Sequence, residues 1–250
     1  MSDRSTVVFL IDGTFEGLLS ALFFGFSNRI VPADVTECTY QTDLFHQPLQ
    51  IPTDRERAKR VARGIRRAAG DFCYQQLYLA FLCDEEDRFL PIYQYACLLL
   101  TQGAKARYAI ATEAGAKVAG LAQFAKREAH MMMEILRFTV LEDGVLYAPI
   151  APKCDCMELV LEHFAKRFSG ERMIICDTNH RKAGIFQPPD HQAILPVTSI
   201  PQPQLGEEEK AYRALWKQFF LSVAIQQRKN LKAQNTHLPK RHRKYMNEFF

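Results

Sequence analysis

The apolar pattern opens with Val7 to Ile11, five hydrophobic residues in a row. A run that short, rich in β-branched residues and closed at once by Asp12-Gly13-Thr14, predicts a buried strand that turns into a helix capped by Thr14 or Asp12. The helix over Phe15 to Gly25 is apolar on most faces and should be buried. Residues 28–52 contain prolines and no clear period, which reads as a loop with at most one short strand. From Asp54 the period changes to helical for about 80 residues. In "DRERAKRVARGIRRAA" the apolar positions Ala58, Val61, Ala62, Ile65 and Ala69 share one face, and Lys59, Arg63, Arg66 and Arg67 lie largely on another. Further helices are expected near 71–83, 87–102 and 107–135.

The second half alternates differently. "RFTVLEDGVLYAPI" predicts a hairpin turning at Glu142-Asp143-Gly144, "MELVLEHFAKRF" a short helix, and "RMIICDTNHRKAGIFQ" a second hairpin with a polar tip. Residues 187–205 hold five prolines and read as a linker or wrapping segment. After Gly206, "EEEKAYRALWKQFFLSVAIQQRKN" has acids in its first turn and bases in its last, with Leu215, Phe219 and Ala224 expected inside. The fold class that follows is α+β. It has a small mixed or antiparallel sheet, built from the N-terminal strand and the two hairpins, surrounded by many helices. We expect a body over residues 1–205 and a basic helical segment over 206–250 packed on it, or a single domain.

Composition adds little to this except through charge. The 250 residues carry a formal net charge of +4. From Gln226 onward there are seven Lys/Arg against one acid, Glu248, a local +6 that leaves −2 for the first 225 residues. Charge so localised favours a patch that meets a partner. No secretory signal or membrane span is legible, and seven cysteines without a disulfide framework suggest reduced thiols in a cytoplasmic protein.

Cofactor motifs are missing: there is no Walker-type loop, GxGxxG, HExxH or GxSxG, so no cofactor is expected. Cys154, Cys156, His163, Cys176 and His180 are metal-ligating types. Without a CxxC pair, the pattern favours buried core thiols and no metal. Arg127, His130, Glu134 and Arg137, spaced 3, 4 and 3, form one polar stripe on a helix. Such a stripe could hold a phosphate or do acid–base work, or could be an internal ion-pair network. "DGTFEG" offers a helix N-terminus, but capping explains its residues. The "DTNHR" tip, with Asp177, His180 and Arg181, fits either function or turn chemistry.

The closing stretch "NLKAQNTHLPKRHRKYMNEFF" carries the clearest physical meaning. Cations that meet phosphates release counterions, so Arg228, Lys229, Lys240, Arg241, Arg243 and Lys244 can grip a nucleic-acid backbone. Asn230, Gln234 and Asn235 add amides that could reach bases or phosphates. Tyr245, Phe249 and Phe250 could stack or dock. Pro239 beside a helix start, with Tyr245, Met246 and Phe249 at helical spacing, predicts a folded element with a basic face.

Four blocks carry a resemblance: "DGTFEGLLSALF", "REAHMMMEILRF", "HFAKRF…MIICDTNHRKAGIF" and the closing "LWKQFFLSVAIQQRKNLKAQNTHLPKRHRKYMNEFF". In that order they resemble a bacterial family of DNA-metabolism or DNA-repair proteins with the uncharacterised domain DUF4130. The resemblance implies a companion radical SAM protein acting on DNA and, in some members, fusion to a uracil-DNA glycosylase-like domain. It carries over no catalytic residue. By position it carries Asp12, Gly13, Phe15, Glu16 and Gly17, then Arg127, Glu128, His130, Arg137 and Phe138. In the closing block it carries Arg228, Asn230, Gln234, Pro239, Lys240, Arg241 and Glu248. Where the family has an aromatic pair after its basic residues, this chain has His242-Arg243, with more charge and less stacking surface. Three readings stand at this point. One is a nucleic-acid-binding accessory to the radical SAM enzyme. Another is an enzyme on nucleotides or nucleic acid that uses the Arg127/His130/Glu134/Arg137 stripe. The third is an adaptor that binds only the radical SAM partner.

Overall fold

Strand β1 (Val7–Ile11) is the central strand of a three-stranded, all-parallel sheet. A computed structural model describes residues 6–37, 46–199, 205–228 and 230–249, with the side chains of 107–110, 226 and 237 left aside. Among them the chain forms two compact units, Met1–Lys126 and Arg127–Phe250.

In the first unit, β1 pairs with β2 (Asp34–Glu37) on one side and β3 (Gln47–Gln50) on the other, with Phe9 opposite both Val35 and Leu49. Val8, Phe9 and Ile11 are buried, as the apolar run requires. The turn into α1 (Phe15–Asn28) is closed by short side chains. Asp12 Oδ1 accepts from the backbone N–H and the hydroxyl of Thr14 (3.0 and 2.6 Å). The Thr14 oxygen accepts from Gly17 N–H (2.9 Å). Gly13, at φ +75°, supplies the left-handed backbone that the turn needs. Burial would raise the Asp12 pKa, but the hydrogen bonds from Thr14 and Thr53 outweigh it and hold the carboxyl below its ordinary value. Capping therefore accounts for "DGT".

Helices α2 (Arg55–Ala69), α3 (Asp71–Phe81) and α4 (Phe89–Gln102) follow. The buried positions of α2 are the five the periodicity picked: Ala58, Val61, Ala62, Ile65 and Ala69. Residues 103–111 are 3-10 helix, and α5 (Glu113–Ile135) starts later than the expected 107. The division between the units falls inside α5.

The second unit holds a five-stranded sheet, β4 to β8 in order. Strands β4 (Thr139–Val140) and β5 (Leu146–Ile150) form the first expected hairpin, and β6 (Met173–Asp177) and β7 (Lys182–Gln187) the second. Between them β5 and β6 run parallel, joined through α6 (Met157–Arg167). β8 (His191–Pro196) completes the sheet against β7.

Three expectations need correction. The N-terminal strand does not share a sheet with the hairpins; its partners are two four-residue strands, DVTE and QPLQ, from the stretch read as loop. Both are edge strands, where a proline such as Pro48 is tolerated and no alternation is demanded. The proline-rich 187–205 region is in part strand. Its prolines flank β8, at Pro188-Pro189 and at the terminal Pro196, so the ladder survives. Finally, α7 (Glu207–Val223) has the acidic first turn but buries no residue; Leu215 and Phe219 are 61% and 55% exposed. It ends at Val223, with Ala224 extended and exposed, so the bases expected in its last turn lie beyond it. Among the described residues no helix is long and apolar enough to cross a membrane.

Candidate nucleic-acid interface

Beyond α7 the chain is built from short elements: a 3-10 turn at Gln226–Arg228, α8 (Leu231–His237), α9 (Lys240–Arg243) and a 3-10 turn at Asn247–Phe249. Asn230 caps α8, its Oδ1 accepting from Ala233 N–H at 3.0 Å. Pro239 precedes α9 as an N-cap, where its missing N–H costs nothing.

The segment is anchored to the second unit by buried polar contacts. Arg241 Nη2 donates to both carboxylate oxygens of Glu128 (2.8 and 3.2 Å), and Lys153 N–H donates to the same carboxylate at 3.0 Å. The Tyr245 and Thr178 hydroxyls share a hydrogen bond of 2.7 Å. Arg137 donates to Glu248 at 3.1 Å. His242 and Met246 are buried. Burial, reinforced by the neighbouring Arg241 charge, pushes the His242 pKa down to about 4. The closing stretch is thus a docked element, but no helix carries Tyr245, Met246 and Phe249 as their spacing suggested: α9 ends at Arg243, Tyr245 and Met246 lie beyond it, and Phe249 belongs to the 3-10 turn.

Between α7 and this element lies a cleft of about 660 Å³. Its floor is apolar, with Phe220, Leu231 and Phe249 among its lining. The Phe220 and Phe249 rings lie 6.1 Å apart at 57°. Four of the residues singled out for nucleic-acid contact line it: Arg228, Asn230, Gln234 and Arg243. No carboxylate is among the lining residues that the structure describes. The Arg243 guanidinium lies 5.1 Å from the Phe249 ring centre, while its Nη2 donates to Asn235 Oδ1 (2.7 Å) and to the Leu238 carbonyl (3.1 Å). Its Nε is buried and meets no acceptor among the described residues.

The other candidates part company. Lys240 and Lys244 are exposed, and Lys244 lies over the Tyr245 ring. Arg241 is spent on Glu128, and Lys229 lies outside the described residues, as do Cys38 and Phe250. The polar stripe does not hold together: Arg127, His130 and Glu134 lie on the solvent side of α5, which ends at Ile135, and Arg137 lies beyond it. His130 Nε2 lies 3.1 Å from Glu134 Oε1, with both side chains exposed. Arg127 is exposed, and Arg137 turns to Glu248 and nearby carbonyls. The "DTNHR" tip is a turn built on buried Asp177. Its Oδ1 accepts from the N–H groups of Asn179 and His180, and its Oδ2 meets His180 Nδ1 at 2.6 Å. Among the described residues no three His, Cys, Asp or Glu side chains converge to hold a metal.

Sequence reasoning missed Phe220, whose only signal was a place in an apolar helix. It also missed the anchoring role of Glu128, visible only as a position shared with the family.

Fold and cleft together define an α+β protein with a basic cleft in its second unit, lined by no carboxylate among the described residues. The chain belongs to the DUF4130 family, a domain of unknown function whose model matches residues 86–248. No curated protein and no solved structure matches the chain.

Proposed function

We propose that this chain is a nucleic-acid-binding protein of DNA metabolism. Its closing segment captures a phosphate backbone and presents it to a separate modifying enzyme. One observation carries the reading: Arg228, Asn230, Gln234 and Arg243, scattered over 16 residues of sequence, converge on one cleft with no carboxylate among its described lining residues. The exposed Arg228 guanidinium offers planar, multidentate donors to phosphate, Arg243 adds its charge to the cleft lining, and Lys240 and Lys244 extend the positive surface on and just beyond α9. The partner enzyme, a radical SAM protein by the family resemblance, fits the solvent-facing apolar stripe of α7 formed by Tyr212, Leu215, Trp216 and Phe219. The solvent-facing, mutually paired His130 and Glu134 give the stripe on α5 less support as a catalytic site.

The test is fluorescence polarisation with labelled DNA across a salt series, comparing wild type with an Arg228/Lys240/Lys244→Ala variant. The expected result is binding whose logarithm falls linearly with the logarithm of salt, and a shallower slope in the variant, by about one contact per cation removed. Absence of binding at low salt, or an unchanged slope, overturns the proposal.

A further inference from the structure

We infer that the cleft takes an unpaired base, so that the ligand is a single-stranded nucleic acid; this rests on the nucleic-acid reading above and sharpens it. Phosphate capture needs cations on a surface, and exposed Lys240 and Lys244 already supply them. Beside the charge of Arg228 and Arg243, the cleft offers a second property. Its floor is aromatic, with Phe220 and Phe249 inclined to each other, and the Arg243 guanidinium lies over Phe249. A planar heterocycle can stack on such a floor or against the guanidinium, whatever its sequence. The Gln234 amide on the cleft wall can donate and accept, as a base edge requires. The volume of about 660 Å³ falls within the range of about 300–1,000 Å³ found for small-molecule sites. Bases inside a duplex are stacked and paired, so their faces cannot reach an aromatic floor. A base must be single-stranded or turned out of the helix to enter.

The experiment compares a labelled mixed-sequence 15-mer, the same 15-mer as duplex, and a 15-mer with abasic sugars throughout, at one salt concentration. The single strand should bind at least about five-fold tighter than the other two, the smallest gain expected from one stacked base. A 2-aminopurine in the strand should be quenched on binding, as a stacked fluorophore is. Phe249→Ala should remove the preference. If circular dichroism shows that variant misfolded, Arg243→Lys serves instead: it retains charge and salt slope but loses the planar guanidinium surface. Equal affinity for all three polymers with an ordinary salt slope overturns the base-in-cleft inference and leaves the nucleic-acid reading standing. A failure to bind any polymer overturns both. Equal competition by free dTMP overturns the strand and makes the cleft a mononucleotide site.

Discussion

Replacing Arg241 with alanine should destabilise the protein more than replacing Glu128 with alanine, although both changes break the same ion pair. The Glu128 side chain is 5% exposed and that of Arg241 is 33% exposed. Without Arg241, the carboxylate stays enclosed with one hydrogen bond, from Lys153 N–H. Without Glu128, the guanidinium can turn towards water, and the loss is that of a partly exposed pair plus an acceptor for Lys153. Removing one partner of a buried pair costs about 3–5 kcal/mol when the remaining charge is trapped. Arg241→Ala should approach the lower end of that range. Glu128→Ala should cost about 2 kcal/mol, since solvent screens the freed arginine. Glu128→Gln, which still accepts from Lys153, should cost less again. Urea unfolding followed by circular dichroism and by the fluorescence of Trp216, the single tryptophan, gives the midpoints. Arg241 is also a basic residue of the closing stretch, so the same variant discriminates between two roles. An Arg241→Ala protein with a wild-type midpoint and a salt slope for DNA binding reduced by about one would refute the reasoning, because Arg241 would then be a phosphate ligand.

Other outcomes follow from particular residues. His242 has its pKa depressed from 6.5 to about 4, so the unfolded chain binds the extra proton in that window. Stability should therefore be full above about pH 6.5 and fall as pH drops towards 4, by at most about 3 kcal/mol. His242→Phe should flatten that limb of a pH–stability curve, and an unchanged limb would refute the assignment. Leu215→Ser and Phe219→Ser should each change the unfolding free energy by no more than about 0.5 kcal/mol in urea titrations, because both side chains face solvent. A loss of about 2–5 kcal/mol, as for a core residue, would contradict the exposure of α7. Gly184→Ala should destabilise by about 1–3 kcal/mol, since a Cβ there would come within 2.7 Å of Met157 Sδ; a wild-type melting temperature would show that the sheet and α6 have room to give.

Local physics in the sequence determined the elements whose signal is self-contained. The buried face of α2 follows from spacing alone, because a helix that exposes arginines on one side must bury its alanines and isoleucine on the other. The two hairpins follow from short apolar runs around Asp-Gly and Thr-Asn-His turns, and the basic character of the closing stretch from charge counting. Tertiary structure decided what depends on distant partners. DVTE and QPLQ become strands only because the edges of β1 offer hydrogen bonds, which no local pattern announces. The amphipathic pattern of α7 promises a buried face, yet burial requires neighbours that cover it, and among the described residues Leu215 and Phe219 stay exposed. The seven basic residues of the closing stretch look alike in sequence. The fold separates Arg241, held by a carboxylate more than a hundred positions away, from Arg228 and Arg243, which meet in a cleft. Charge is a property of each residue, whereas its use depends on which carboxylates and rings the folded chain brings beside it.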